Sequence, residues 1–183
     1  MKKQLPLLMF LAMISFSLLR PGLCYGQKTD ADAIPVYNIQ AFLAEKLSSS
    51  SEAGGVSANL SQLAFESNPT LVISNGKFSL WGGDVPVVAA VDVASLEYLF
   101  KEDPGFEQIQ LIRIIMDQTD FDLKLDQLDH FKNLKYVFFV ASFDLCPESP
   151  GNIACETGMV KDLFSGSAGQ NDLMVFYQVV HHQ

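Results

Sequence analysis

The residues best suited to chemistry are a run of aspartates in the middle of the chain. They are Asp117, Asp120, Asp122, Asp126 and Asp129. Paired carboxylates can act as general acid and base, or can bind a hard cation such as Ca²⁺. A calcium loop fits poorly, because Lys124 stands where a third oxygen ligand is needed and the glycine and closing glutamate are missing. A solvated acidic surface at a helix start also explains the run. Asp117, Asp120 and Asp122 are the catalytic candidates.

Two cysteines in the C-terminal third are the second chemical feature. Cys146 and Cys155 flank a segment with the proline, glycine and asparagine of a tight loop. An oxidising compartment favours their pairing, so we predict a structural disulfide that contributes about 2 to 3 kcal/mol. The spacing differs from the Cys-x-x-Cys of redox pairs, and two thiols without nearby histidines are too few ligands for a metal.

Other catalytic patterns are incomplete. His130 could serve a Cys–His site only if a thiol were free. Residues 165–169 approach the Gly-x-Ser-x-Gly nucleophile elbow, but the first glycine is absent and a strand follows where the motif needs a helix. His181 and His182 stand at the chain end, where a metal site is poorly held. The sequence therefore predicts no cofactor and no metal.

The N-terminus has the three zones of a secretory signal peptide. Lys2 and Lys3 precede an apolar run over residues 5–19, which is shorter than the roughly 20 residues that span a bilayer. Small residues near position 26 place the cleavage after residues 1–26, with a mature start at Gln27. A bacterial lipoprotein acylated at Cys24 is the alternative, and it is the only prediction that brings the protein to a membrane.

The mature chain has the size and charge of one acidic domain. Cleavage leaves 157 of 183 residues, and loss of three cations takes the formal charge from −9 to −12. We predict a flexible lead-in over residues 27–33 and a single globular domain over 34–183. The negative charge disfavours nucleic acid as a partner, because phosphates attract the opposite sign.

Periodicity predicts helices first and strands later. An amphipathic helix is expected over residues 35–47, and a second helix is expected after a Ser/Gly joint, capped by Ser57 or Asn59. Asn75-Gly76 between two apolar runs predicts a hairpin with a type I′ turn. The apolar run over 85–91 indicates a strand buried on both faces.

The end of the chain repeats this alternation. A short helix is expected over 159–164, and residues 172–180 form an alternating strand that we expect to close the sheet.

A 25-residue spacing organises the centre of the chain. Four apolar positions recur at this spacing: Phe106, Ile109, Ile112 and Ile114 match Phe131, Leu134, Val137 and Phe139. A weaker copy, one such interval earlier, contains Trp81, Val87 and Ala89. Such a period is typical of stacked strand-and-return units, each too small to bury its own apolar face.

These residues resemble the leucine-rich-repeat family. Ile109-x-x-Ile112-x-Ile114-x-x-Asp117 and Leu134-x-x-Val137-x-Phe139-x-x-Ser142 are similar to its strand pattern, over roughly residues 81–145. The family's usual asparagine is replaced by Asp92, Asp117 and Ser142, which puts its side-chain ladder in doubt. The resemblance implies an α/β fold with N-terminal helices and a mainly parallel, repeat-like sheet. An ordinary α/β or α+β domain is the alternative.

The sequence points to binding more than to catalysis. We expect an exported interaction protein of the bacterial envelope or the extracellular space that binds a protein or another envelope component through its sheet surface. The alternative is a secreted hydrolase that uses Asp117, Asp120 or Asp122. That enzyme requires these carboxylates to converge in a cleft.

Overall fold

The computed structural model describes residues 34–48, 54–166 and 172–180. The signal peptide, the lead-in, Cys24, His181 and His182 lie outside these residues. The described residues group into one compact unit. Its helices are α1 (Ile39–Ser48), α2 (Gly54–Phe65) and α3 (Ile153–Lys161). Its strands are β1 (Val36–Asn38), β2 (Thr70–Ser74), β3 (Lys77–Trp81), β4 (Val88–Asp92), β5 (Leu111–Met116), β6 (Leu123–Lys124), β7 (Tyr136–Ala141), β8 (Phe164–Ser165) and β9 (Met174–Val179).

Seven of these strands form one sheet in the order β1-β9-β7-β5-β4-β2-β3. All neighbours are parallel except the β2–β3 hairpin. The α/β class with a mostly parallel sheet, predicted from the sequence, is confirmed. Strands β2, β4, β5, β7 and β9 lie side by side in chain order, so each return connection leads to the adjacent position. A separate pair, β6 and β8, joins two of the returns.

The register reproduces part of the 25-residue spacing. Leu111 lies opposite Tyr136, and Ile114 lies opposite Phe139, so both pairs have the predicted offset. Between β4 and β5 the offset is 23, because Val91 lies opposite Ile114. The weak earlier copy containing Trp81 and Ala89 was therefore wrong. Trp81 belongs to β3, which pairs antiparallel with β2 and forms part of the connection between β2 and β4.

The two faces of the sheet are covered differently. Alternate residues of β4, β5, β7 and β9, including Ile112, Ile114, Val137 and Phe139, pack against the return connections. These returns contain 3-10 helices at Val93–Phe100, Pro104–Phe106 and Leu125–Leu128. On the opposite face, the residues nearer the starts of the same strands pack against α1 and α2 through a second cluster around Leu111, Phe138 and Phe176. The central strands are thus apolar on both sides, as parallel strands usually are.

The N-terminal elements differ from the prediction at their boundaries. Residues 36–38 form β1, and Asn38 begins α1 because its Oδ1 accepts hydrogen bonds from the N–H groups of Gln40 and Ala41. Ile39 and Phe42 are buried as expected, whereas Leu47 is 83% exposed. Helix α2 starts at Gly54, so Ser57 and Asn59 lie inside it and do not cap it.

The C-terminal elements also shift. Helix α3 begins at Ile153, because Asn152 Oδ1 accepts from the N–H groups of Ala154 and Cys155. The prediction of a helix over 159–164 therefore placed it too late. Strand β9 lies between β1 and β7 and does not close the sheet. The sequence alone could not show that the short β1 pairs with β9, which lies more than 130 residues later in the chain.

Candidate interaction surface

The three candidate aspartates lie on the surface near the end of β5. Asp117 follows β5 directly, Asp122 precedes β6, and both are exposed, as is Asp120. The Asp122 carboxylate forms an ion pair with Lys124 and accepts a 3.1 Å hydrogen bond from Ser165 Oγ. Lys124 also donates to Ser165 Oγ over 2.9 Å. These side-chain contacts link β6 to β8.

This polar group is poorly suited to activating a nucleophile. The hydrogen bond from Lys124, followed by that from Ser165, lowers the pKa of Asp122 below its usual value. A lower pKa makes the carboxylate a weaker base, the opposite of what deprotonation of Ser165 requires. In the part of the chain that the structure describes, groups of three or more histidine, cysteine or acidic side chains able to hold a metal ion do not occur.

The cysteines and His130 lie in structural surroundings. The sulfurs of Cys146 and Cys155 are 2.01 Å apart, at disulfide distance. Cys146 is buried, and Cys155 lies in the first turn of α3. The His130 ring packs against Phe131 and Phe106, with centroid distances of 4.4 and 5.8 Å. With both thiols at bonding distance from each other, neither is free to pair with a histidine as a nucleophile.

The most distinctive surface is the part of the sheet that α1 and α2 leave uncovered. We call it the open sheet face and define it by Val72, Ala90, Asp92, Arg113, Ile115 and Val140. These residues lie on β2, β4, β5 and β7 and point to the same side as the helix-covered residues. Ile115 lies near the carboxyl end of the central strand β5 and is 44% exposed.

Arg113 and Phe65 form the boundary between the open sheet face and α2. Arg113 donates hydrogen bonds of 2.6 and 3.4 Å to the backbone oxygens of Ala64 and Leu63, in the last turn of α2. Burial lowers the pKa of the Arg113 guanidinium. The Phe65 ring meets Phe138 edge to face at 6.2 Å while staying half exposed. The boundary therefore adds an aromatic ring and a cation to a surface that also carries the Asp92 carboxylate opposite Ile115.

Strand β3 is the second exposed feature. It ends the sheet, and all five of its residues are exposed. Phe78 packs edge to face on Tyr98, and the Trp81 side chain is 67% exposed on the opposite face of the strand. Neither surface was predicted from the sequence. The signal was present for Ile115, since an isoleucine two residues after the charged Arg113 lies on the same side of a strand.

Comparisons with protein families, with curated proteins and with solved structures return no match. Within the described residues, the helices are too short or too polar to cross a bilayer.

Proposed function

We propose that this protein is an exported binding protein without catalytic activity, and that the open sheet face receives its partner. The observation that carries the proposal is the exposure of Ile115, an isoleucine on the central strand β5 that is 44% exposed. Val140 on β7 and Asp92 on β4 lie opposite it, and both are partly exposed. An exposed apolar residue flanked by charged side chains, here Asp92 and Arg113, is typical of an interaction site.

Export is part of the proposal. Residues 1–26 have the composition of a signal peptide, and two cysteines at disulfide distance suit an oxidising compartment. The final compartment is the bacterial envelope or the extracellular space, and acylation at Cys24 remains the alternative to simple cleavage. The partner is a protein or another envelope component, since the net charge of −9 disfavours nucleic acid.

We also propose that β4, β5 and β7 with their returns are leucine-rich-repeat-like units. The chain-ordered strands and the 25-residue offset between β5 and β7 support this interpretation. Polar side chains at the carboxyl ends of β4 and β7 bond to the neighbouring strand, and of the two only Ser142 is level with Asp117 in the register. Asp92 accepts from Ser74 Oγ over 2.6 Å, and Ser142 Oγ donates to the Met116 oxygen over 3.4 Å.

A duplication tests the repeat. If residues 111–135 form one stacking unit, a chain in which they are inserted a second time before Tyr136 folds cooperatively with one more strand. The matched control inserts a scrambled segment of the same composition and is expected to unfold or aggregate. Equal behaviour of the two insertions in thermal unfolding contradicts the repeat.

Capture from envelope fractions tests the binding function. The mature protein should recover a component that Ile115→Lys fails to recover, because a lysine interrupts the apolar contact. Leu47→Lys is the matched control, since it adds the same charge at a more exposed leucine on α1. The proposal is overturned if both variants recover the component equally. It is also overturned if the unmodified protein recovers no component. Alanine at Asp117, Asp120 and Asp122 should leave recovery unchanged, whereas a hydrolase that uses them would lose activity.

A further inference from the structure

The hairpin register shows which backbone groups of β3 are free. The turn at Asn75-Gly76 has two residues with positive φ, of 50° and 70°, so Ser74 and Lys77 close it as a hydrogen-bonded pair. Bonded pairs alternate along an antiparallel ladder. Ser79 and Trp81 therefore also bond inward to β2, and Phe78 and Leu80 direct their N–H and C=O groups to the outer edge.

This edge has little of the protection that natural sheets use. Edge strands are usually shielded by proline, by a bulge, by charges or by a covering element. Residues 77–81 contain no proline and one charge, that of Lys77. Each β3 residue has a single opposite residue in β2, so the ladder contains no bulge, and all five side chains are exposed.

We propose that two copies of this chain pair through β3, antiparallel, about a twofold axis at Ser79. Phe78 of one copy then lies opposite Leu80 of the other. Because both residues direct their backbone groups outward, this register forms about four hydrogen bonds across the edge. The two seven-stranded sheets become continuous. The proposal goes beyond the proposed function, since it does not require Ile115 or the open sheet face.

Side-chain chemistry favours a second copy over an unrelated strand. Opposite residues of an antiparallel pair share a face, so Phe78 meets the second copy's Leu80 on the side that carries Tyr98. On the other side, Lys77 lies opposite the second copy's Trp81, an arrangement in which an ammonium attracts an indole ring. The five-residue strand is thus complementary to its own reversed copy.

Charge also favours this location. The chain carries a net charge of −9, which opposes self-association over most of its surface. Residues 67–83 carry Lys77 as their single charge and contain no carboxylate side chain. The hairpin is therefore a place where two copies approach without acidic groups meeting. The paired strands are short, so the dimer is expected to be reversible and concentration-dependent.

Sedimentation of the mature protein from micromolar to millimolar concentration tests the proposal. We expect a monomer–dimer equilibrium that Leu80→Pro weakens about tenfold or more, because proline removes the outward N–H of residue 80 while sparing the bonds to β2. Leu80→Thr is the matched control: it keeps the N–H and is expected to retain the dimer. In hydrogen exchange, the amides of Phe78 and Leu80 should become protected as concentration rises.

A second pair of variants keeps the test independent of proline. Trp81→Lys places two lysines opposite each other and should weaken the dimer, whereas Trp81→Glu places a carboxylate opposite Lys77 and should retain it. A monomer at every concentration overturns the proposal. So does a dimer that Leu80→Pro and Trp81→Lys leave intact. A dimer lost in Ile115→Lys but kept in both β3 variants would assign self-association to the open sheet face instead.

Discussion

The guanidinium of Arg113, in the middle of β5, donates a 2.6 Å hydrogen bond to the backbone oxygen of Ala64 at the end of α2. The last carbonyl groups of a helix lack partners within the helix, and a cation at that end is favourable. This contact fixes where α2 stops covering the sheet. It therefore sets the boundary of the open sheet face.

Replacement of Arg113 should destabilise the domain. Arg113→Met keeps the apolar length but leaves the oxygens of Ala64 and Leu63 without this donor, and we expect the free energy of unfolding to fall by about 1 to 2 kcal/mol. Lys135→Met, at an exposed lysine, is the control and should change it by less than about 0.5 kcal/mol. Urea unfolding measures both. If Arg113→Met is as stable as the unmodified protein, the free-energy cost of burying the guanidinium cancels the stabilisation from its hydrogen bonds.

The disulfide should contribute measurably to stability. Double replacement of Cys146 and Cys155 by alanine opens a ring with a sequence separation of 9 and should lower the free energy of unfolding by about 2 to 3 kcal/mol. Reductant should destabilise the unmodified protein by a similar amount and leave the double variant unaffected. If reductant has no effect on the unmodified protein, the bridge is absent or contributes nothing.

Asp92 should make stability depend on acid pH. Burial alone raises the pKa of Asp92, but hydrogen bonds from Ser74, Ser95 and the N–H of Asn75 outweigh it, so the pKa lies below its ordinary value of 3.8. A lowered folded-state pKa gives stability that is fully present above 3.8 and is lost as pH falls through the folded value.

Asp92→Asn tests this pH dependence. At neutral pH we expect a loss of about 1 kcal/mol, because charge-assisted hydrogen bonds become neutral ones. The difference from the unmodified protein should shrink below pH 3.8. Asp84→Asn removes the same charge from an exposed turn and should have little effect. A pH-independent difference for Asp92→Asn would contradict the role of ionisation.

Gly76 should tolerate no side chain. Its φ is 70°, and an added Cβ would lie 2.6 Å from Tyr98 Oη. Gly76→Ala should therefore cost the left-handed strain of about 1 to 2 kcal/mol plus the displacement of Tyr98. Gly151→Ala has a similar φ of 77° with no atom within 4 Å, and it measures the strain alone. Adding Tyr98→Phe to Gly76→Ala should restore part of the lost stability, because it removes the hydroxyl group that the new Cβ meets. If it restores none, the clash does not involve this hydroxyl group.

Local patterns predicted the individual elements well. The Asn75-Gly76 hairpin follows from two residues that tolerate positive φ, and the buried β5 and β7 follow from apolar residues at fixed spacing. The same spacing failed at β4, where the offset is 23, because the return length can vary as long as the strands remain in register. The position of β1 was not predictable, since so short a strand carries too little pattern to select a partner at the opposite end of the domain sequence.

The sequence by itself determined the acidic charge, the signal-like N-terminus, the α/β class and the pair of cysteines able to meet, because each depends on composition or short-range spacing. The tertiary structure decided which apolar residues stay in contact with solvent. Leu111 and Ile115 lie on the same face of β5, yet Leu111 is buried and Ile115 is exposed. The difference arises because α2 ends at Phe65, where Arg113 binds its last turn, and β5 continues beyond it.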